Sequence, residues 1–198
     1  SEHQWLWRFF PTDEGLPRCF PSRNERNVLA QPDAFEKIPG SPVAYWVPKP
    51  LLDIYASIPQ LYESSISDGQ NITADNAKYV RFIWEIDSRK LGKTGKWIYY
   101  AKGGAFRRWF GNNDYVVDWT CEARNAYREN SSARIIPEYL WFSCGITWTL
   151  ITSSRVSFRL LHQDGTFDKT GSSIFMRAVS DIQATLAFLN SCVADYRV

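Results

Sequence analysis

The sequence predicts an α+β domain: a mostly antiparallel, twisted β-sheet with helices near both ends of the chain. Several short segments alternate apolar and polar residues with the period of two that is typical of half-buried strands. One stretch near the C-terminus instead follows helical spacing. Aromatic residues make up 16% of the 198 residues and include nine tryptophans. That density favours either a β-rich core or a surface that stacks on planar ligands.

Two segments carry helical patterns. Residues 41–68 place Pro50 where a proline suits the first helical turn, and apolar residues follow it until Pro59 stops the helix. Residues 180–193 form the clearest predicted helix, with Ser180 as its cap and Gln183 completing a capping box. The apolar stripe of this helix consists of Ile182, Leu186, Leu189 and Val193.

Strand patterns fill the region between these helices. Residues 79–86 and 97–101 alternate most clearly, and we expect these two strands to pair antiparallel. The alternation over residues 155–160 places Arg155 and Arg159 on the solvent side. Further strands are predicted at residues 115–119, 140–151 with a break at Gly145, and 166–168, which would return from a tight Asp164-Gly165 turn.

The domain organisation predicted from these patterns has two parts. Residues 1–40 mix aromatic residues with turn formers and are interpreted as an irregular lead-in. Residues 41–198 are expected to form one domain with its own core. The first residue is Ser1 rather than methionine, and the last lies in an apparently helical stretch, which we interpret as a piece of a longer protein.

Composition disfavours several classes of function. The four cysteines are widely spaced without a Cys-x-x-Cys pair, and the two histidines are far apart, so we predict free thiols in a reducing cytoplasm and no metal site. No stretch approaches the ~18 apolar residues of a membrane span. Nucleophile-elbow, P-loop and dinucleotide-binding motifs are missing from the sequence, so we predict no catalytic residue.

Positive charge is concentrated although the formal net charge is only +2. Residues 88–110 contain no aspartate or glutamate. Their basic residues are Arg89, Lys90, Lys93, Lys96, Lys102, Arg107 and Arg108. Such a cluster is typical of a polyanion-binding surface. The alternative is a basic hairpin whose aromatic residues pack in the core and whose charges are solvated.

The candidate binding residues centre on the Gly-Gly pair of this stretch. Arginine side chains and glycine backbone N–H groups together suit phosphates, and tryptophan offers a stacking plane. Paired asparagines can contact an adenine edge, although Gly-Asn-Asn-Asp is equally good turn chemistry. The candidate DNA-binding residues are Lys102, Gly103, Gly104, Arg107, Arg108, Trp109, Asn112, Asn113, Arg81 and Arg155, with Arg159 as a possible extension of the same surface.

Four motifs occur in order between about residues 38 and 193. They are Thr73-Ala74-Asp75-Asn76 with the strand after it, the stretch 96–112, Gly145-Ile146-Thr147-Trp148, and residues 167–175. Together they resemble motifs of the PglX-type adenine-specific DNA methyltransferases of BREX phage-defence systems. Two positions depart from that pattern, because Ala74 and Tyr99 stand where the family has glycine and proline.

The resemblance implies a role in recognising DNA. In that family the corresponding region follows the catalytic domain and is similar to the target-recognition domains of restriction-modification enzymes. The family's Asn-Pro-Pro-Tyr and Gly-rich cofactor motifs are missing from this sequence. The resemblance therefore implies a non-catalytic domain that positions double-stranded DNA for N6-adenine methylation, with S-adenosylmethionine bound by the parent enzyme and not by this chain.

Two alternatives remain open at the level of sequence. One is a protein-interaction domain that docks other phage-defence proteins or an acidic inhibitor that mimics DNA. The other is a carbohydrate-binding module in which exposed aromatic residues stack on sugars; its binding would be insensitive to salt.

Overall fold

A computed structural model describes residues 4–6, 28–30, 32–38, 40–41, 47–152 and 155–197. The chain divides into two units after Gln60. The elements of the first unit are β1 (Gln4–Leu6), β2 (Val28–Ala30) and α1 (Lys49–Ser57). Those of the second are α2 (Leu61–Ser64), β3 (Ser65–Ile66), α3 (Asn76–Tyr79), β4 (Val80–Phe82), β5 (Trp97–Ala101), β6 (Tyr115–Asp118), α4 (Cys121–Glu129), β7 (Ile146–Trp148), β8 (Phe158–Leu160), β9 (Gly165–Phe167), β10 (Ser173–Met176), α5 (Ile182–Leu189) and α6 (Cys192–Arg197).

The predicted α+β class is confirmed, with two four-stranded sheets in place of one. The first sheet has the order β4-β6-β5-β9 and the second the order β3-β10-β7-β8. All pairings are antiparallel except that of β5 with β9. The expected pairing of β4 with β5 is wrong, because β6 lies between them and bonds to both.

The core has three apolar clusters. One lies between the first sheet and α4 and includes Ile98 and Val117. A second joins the two sheets, where the rings of Phe167 and Phe175 lie 5.8 Å apart. The third packs the second sheet against α5. Each sheet thus buries one face under a helix, which is the usual layered solution for an α+β domain.

Asn71 is a buried polar centre within this core. Its Nδ2 donates to the hydroxyl of Thr166 and, at 3.0 Å, to the carbonyl of Phe167. Its Oδ1 accepts from the backbone N–H of Ile136 at 3.0 Å, and its own carbonyl accepts from the hydroxyl of Tyr100 at 3.2 Å. Burial raises the pKa of the Tyr100 phenol well above its usual value. The side chain therefore ties together segments that are distant in sequence.

The polar region after β6 forms helix α4. Thr120 caps it, because its hydroxyl accepts from the N–H of Ala123 at 3.2 Å. Ala123 and Tyr127 are its buried residues. The hydroxyl of Tyr127 donates to the carbonyl of Asp118 at 2.8 Å, and burial is the main reason that its pKa is raised.

The first predicted helix is confirmed as α1, which carries Pro50 in its first turn and ends at Ser57, just before Pro59. The rest of the segment 41–68 is helical only at α2, and β3 follows it. The C-terminal helix lacks the predicted Ser180 cap, since α5 begins at Ile182 after a 3-10 turn. It ends at Leu189, and the side chain of its C-cap residue Asn190 bonds to the backbone N–H and carbonyl of Phe158 at 3.1 and 2.9 Å.

Three predicted strands also needed correction. Strand β4 ends at Phe82 because residues 83–85 turn into a 3-10 helix, in which Glu85 Oε2 accepts from the N–H of Phe82 at 2.7 Å. Strand β9 does follow the Asp164-Gly165 turn, but it pairs parallel with β5 and not with β8. The segment 140–151 contains a strand only at β7, which starts immediately after Gly145.

The turn of residues 73–76 has the conformation that glycine favours. Ala74 has φ +61°, in the left-handed region, which explains why a glycine would suit this position. Asp75 caps α3, because its carboxylate accepts from the N–H of Lys78 at 2.9 Å. The hydroxyl of Thr73 donates to Asn76 Oδ1 at 2.7 Å. The turn thus forms in spite of the alanine.

Among the described residues, no helix is long and apolar enough to cross a membrane.

Candidate nucleic-acid interface

Strand directions bring distant segments to one edge of the first sheet. Strands β4 and β5 both run antiparallel to β6, and β9 runs parallel to β5. The C-terminal ends of β4, β5 and β9 therefore lie at the same edge as the N-terminal end of β6. The segments that leave this edge are residues 83–85, 102–113 and 168–171, which belong to three of the four motifs singled out in the sequence.

Lys102 and Asp168 join two of these segments. Lys102 Nζ lies 2.6 Å from Asp168 Oδ2, and the two side chains are only 18% and 13% exposed. The hydroxyl of Thr170 donates to the carbonyl of Lys102 at 2.9 Å. The predicted phosphate contact Lys102 is thus neutralised within the protein, and it anchors the start of the loop that follows.

That loop, residues 103–113, is called the aromatic-arginine loop below. It begins with two glycines of positive φ, Gly103 at +80° and Gly104 at +118°. A Cβ on Gly103 would lie 2.9 Å from the carbonyl oxygen of Thr170, and a Cβ on Gly104 would lie 3.1 Å from the Asn112 amide. Both positions therefore need glycine, for its conformation and for the close approach of the chain.

Side chains from inside and outside the loop fix its shape. Asn112 is buried, has φ +57°, and its Nδ2 donates to the carbonyl of Ala105 at 2.9 Å. The backbone N–H of Arg107 donates to the hydroxyl of Ser157 at 3.3 Å. The Asn112 amide thus serves the turn that the sequence offered as the alternative to a base contact.

Strand β8 and its neighbour β7 hold the rest of the loop. The N–H of Trp109 donates to the carbonyl of Phe158 at 2.9 Å, and the N–H of Leu160 donates to the carbonyl of Trp109 at 2.8 Å. After β7, the hydroxyl of Thr149 donates to the carbonyl of Gly104 at 3.2 Å. The loop is therefore bonded along its length, which lowers the entropic cost of holding it in one shape on binding.

Arg159 lies beneath the loop and not on its surface. The side chain is 1% exposed, so the expectation that it extends a solvent-facing basic surface is wrong. Its Nη1 donates to the carbonyl of Arg107 and the carbonyl of Ser157 at 3.3 Å and to the Ser157 hydroxyl at 3.2 Å, while Nη2 donates to the Thr149 hydroxyl at 3.3 Å. Burial lowers the pKa of this guanidinium. Strand alternation placed this side chain in solvent, so no sequence signal indicated its burial beneath the loop.

The loop presents aromatic and cationic side chains outward. Phe106, Trp109 and Phe110 are 53%, 52% and 57% exposed. Trp109 has φ +75°, an unfavourable conformation for a bulky residue that the surrounding bonds maintain. The guanidinium of Arg108 lies 5.4 Å from the ring centre of Phe106, and Arg107 is exposed. Charge and stacking surface are thus combined on one loop.

Most of the basic residues between positions 88 and 102 form ion pairs with carboxylates that lie outside the cluster in the sequence. Four of its seven members form ion pairs. These pairs are Arg89–Asp87, Lys93–Asp164, Lys96–Asp118 and Lys102–Asp168. Lys96 and Asp118 lie at the sheet edge opposite to the aromatic-arginine loop, because they precede β5 and end β6. The cluster in the sequence is therefore not one continuous basic surface.

The other candidate residues lie in different environments. Arg81 is partly buried, and its Nη1 donates to the carbonyls of Ala77 and Val80 at 2.7 and 2.6 Å. Asn113 is partly buried at the end of the loop, and Arg155 is exposed. Arg81 and Lys102 line the same cleft beside the sheet edge, whereas Arg155 precedes β8.

The described residues contain no group of three or more histidine, cysteine or acidic side chains that could hold a metal ion. Cys121, Cys144 and Cys192 are free and exposed, and Cys19 lies outside the described residues. His162 packs against Tyr99 with ring centres 3.8 Å apart, and burial lowers its pKa.

Comparison with known proteins gave two related sequences. The chain is 33% identical over 173 residues to the adenine-specific methyltransferase PglX of Lacticaseibacillus casei (strain Zhang), which covers 79% of this chain. It is 29% identical over 168 residues to the adenine-specific methyltransferase BrxX of Escherichia coli O9:H4 (strain HS), covering 82% of this chain. The chain is related to PglX/BREX-type methyltransferases. No protein-family model matches it.

The relationship concerns a small part of each relative. The chain spans 14% of the length of PglX and 14% of the length of BrxX. The resemblance that the motifs indicated is confirmed over 79% and 82% of this chain.

Proposed function

We propose that this chain is the DNA-recognition segment of an adenine-specific methyltransferase, and that the aromatic-arginine loop contacts the duplex. The observation that carries the proposal is the loop itself. Its backbone is bonded to strand β8 and to side chains beneath it, while Arg107 and three aromatic side chains are exposed. Arg108 is partly buried, with its guanidinium over the Phe106 ring.

The chemistry of the loop suits both parts of duplex recognition. Arginine side chains bind phosphate oxygens, and these contacts set the position of a protein along DNA. Because the Asn112 amide is engaged within the loop, we assign contact with base edges to Asn113 and to the exposed backbone of the loop at Gly104. Trp109 supplies a stacking surface, and Arg81 and Arg155 add charge around the loop.

Methyl transfer is assigned to other parts of the longer protein. A methyltransferase must extrude its target base to reach it, so a separate segment has to hold the duplex in register. In this proposal the chain binds and positions the duplex and contributes no catalytic group. S-adenosylmethionine binds elsewhere in the parent enzyme, which acts in the cytoplasm.

The test is a fluorescence-anisotropy titration of a labelled mixed-sequence duplex at several salt concentrations. The variant Arg107→Ala with Arg108→Ala removes two charges from the loop. The matched control, Lys93→Ala with Lys96→Ala, removes two charges whose ion-pair partners lie at the opposite sheet edge. Non-specific affinity is expected at roughly 10⁻⁴–10⁻⁶ M at physiological salt.

We expect the arginine variant to weaken binding and to reduce the slope of log K against log salt concentration by about two, because each phosphate contact contributes about 0.9. The lysine control should keep the slope of the original chain. Equal effects of the two variants would show that binding follows net charge alone, and the loop would then not be the interface.

A protein partner is the second candidate, because exposed aromatic residues and arginines are also enriched in protein interfaces. An acidic inhibitor that mimics DNA would use the same loop, as would another phage-defence protein. Tight binding of such a protein with no measurable binding of DNA at low salt would favour this candidate. Salt-insensitive binding of an oligosaccharide would instead favour a carbohydrate-binding module.

A further inference from the structure

A column of stacked aromatic rings ends in solvent beside the first sheet. The rings of Tyr115 and Phe82 lie 4.8 Å apart, and those of Phe82 and Trp84 lie 4.5 Å apart with planes only 10° from parallel. Trp84 is 68% exposed. A tryptophan gains from burial, so a large exposed indole that is already stacked on one face offers its other face to a planar ligand.

The backbone after β4 holds Trp84 in this position. The chain turns into a 3-10 helix at residues 83–85, and the Glu85 carboxylate accepts from the N–H of Phe82 at 2.7 Å. The N–H of Ile83 donates to the carbonyl of Asp114 at 2.8 Å. These bonds keep the chain in a 3-10 turn, which places the Trp84 indole over the Phe82 ring. If the strand continued, the two rings would lie farther apart.

An open cleft of about 450 Å³ adjoins the column. Phe82 and Tyr115 contribute its aromatic wall. Its polar lining consists of Asn76, Arg81, Glu85 and Lys102. The Arg81 guanidinium is fixed by backbone carbonyls, and Lys102 by Asp168, so both cations are held in place before any ligand arrives. The volume and the mixture of donors and acceptors suit one nucleotide.

The column and the aromatic-arginine loop share one sheet edge. Residues 83–85 follow β4 and the loop follows β5, and both strands end at that edge. Strand β6 separates them, so their exits are two strand spacings apart, about 10 Å. A nucleic acid held by the loop would therefore pass close to Trp84.

We propose that Trp84 stacks on an unpaired DNA base and that the adjoining cleft takes the sugar-phosphate attached to it. The assignment rests on the proposed function, because the loop must first bring DNA to this edge. Aromatic stacking holds any base without sequence preference, whereas the guanidinium of Arg81, which is bonded to backbone carbonyls, favours an anionic backbone over a neutral sugar. A separate methyl-transfer site that extrudes a base leaves unpaired nucleotides nearby, and this site would accept one.

The test compares two duplexes of equal length, one fully paired and one carrying a single unpaired adenine, titrated with the 198-residue chain at one salt concentration. Phosphate contacts are nearly the same in the two duplexes, so the ratio of their affinities isolates the unpaired base. We expect the original chain to prefer the bulged duplex by on the order of tenfold, the usual size of one base-aromatic stack.

Three variants test whether Trp84 is the cause of the preference for the bulged duplex. Trp84→Ala should reduce the preference to about one without changing affinity for the paired duplex, and Trp84→Phe should retain part of it, because a smaller ring still stacks. Tyr62→Ala removes another exposed aromatic residue, 69% exposed in α2, and should leave the preference intact.

The outcomes separate this inference from the proposed function. Salt-sensitive binding of both duplexes with a ratio of one, or with a ratio that Trp84→Ala leaves unchanged, would overturn the Trp84 site and leave the loop assignment standing. Binding of neither duplex would overturn both. Competition by a neutral oligosaccharide that Trp84→Ala abolishes would assign the indole to sugars and overturn the inference as well.

Discussion

Arg159 provides the sharpest test of how the aromatic-arginine loop is held. The change Arg159→Met replaces a buried guanidinium with an uncharged side chain of similar length. The arginine donates four hydrogen bonds of 3.2–3.3 Å, and no carboxylate among the described residues neutralises it. It therefore bears the cost of burying a charge without an ion-pair partner.

Two opposing contributions set the expected effect on stability. The carbonyls of Arg107 and Ser157 lose a donor, at a cost of about 1–3 kcal/mol each if they stay buried. Removing an isolated buried charge gains several kcal/mol, which is why apolar replacements of buried charges are often neutral or stabilising. We expect the free energy of unfolding of Arg159→Met to differ from that of the original chain by no more than about 2 kcal/mol.

The effect on binding should be larger than the effect on folding. Without Arg159 the Arg107 carbonyl loses its anchor, and ordering one residue on binding costs about 1–2 kcal/mol. Affinity for duplex DNA should then fall on the order of tenfold. Urea unfolding followed by tryptophan fluorescence measures the first quantity, and anisotropy of a labelled duplex measures the second.

Arg159→Lys is the matched control for charge. It keeps a buried cation but lacks the planar fork that reaches several acceptors, so it should be less stable than Arg159→Met. The reasoning is refuted if Arg159→Met lowers the unfolding free energy by more than about 2 kcal/mol. It is also refuted if duplex affinity does not change, because the arginine would then have no part in shaping the loop.

Three further predictions concern folding. Asn71→Ala should lower the free energy of unfolding by about 3 kcal/mol or more in urea titration, since buried backbone groups lose their partners; an unchanged midpoint would contradict the bonding described. Ala74→Gly should raise the melting temperature slightly, because relief of the left-handed strain of about 1–2 kcal/mol exceeds the added freedom of the unfolded chain. Burial raises the pKa values of Tyr100 and Tyr127 in the folded chain, so above about pH 10 these phenols keep protons that the unfolded chain releases. The free energy of unfolding should therefore fall by about 1.4 kcal/mol per pH unit for each tyrosine. The variant with both tyrosines changed to Phe should show a flatter decline in the free energy of unfolding.

Local patterns determined the fold class and several elements. Alternation predicted β5 and β6, whose apolar side chains Ile98 and Val117 do enter the core. Pro50 does lie in the first turn of α1. These features depend on residues within a few positions of one another, so the sequence itself contains the information.

The motifs likewise predicted the relationship to PglX-type methyltransferases, which the two related sequences confirmed over about 80% of this chain. The binding roles of the loop residues stay predictions until DNA is titrated.

Tertiary structure alone decided which charges are free. The sequence places Lys102 in a run without acidic residues, yet the fold brings Asp168 to 2.6 Å from it. Alternation placed Arg159 outside, but acceptors from the Arg107 carbonyl, Ser157 and Thr149 allow it to be buried. A strand pattern reports which residues are apolar and cannot report what lies opposite, because partners of a buried charge come from segments distant in sequence.

Strand order was decided in the same way. Both β4 and β5 present the same alternation whether they are neighbours or not, and only the position of β6 between them sets the sheet. That order brings the exits of β4, β5 and β9 to one edge, and with them Trp84, the aromatic-arginine loop and Asp168. The sequence alone determined the chemistry of these side chains, and the long-range pairing of strands decided that they share one surface, because hydrogen bonds between strands are not encoded within any one of them.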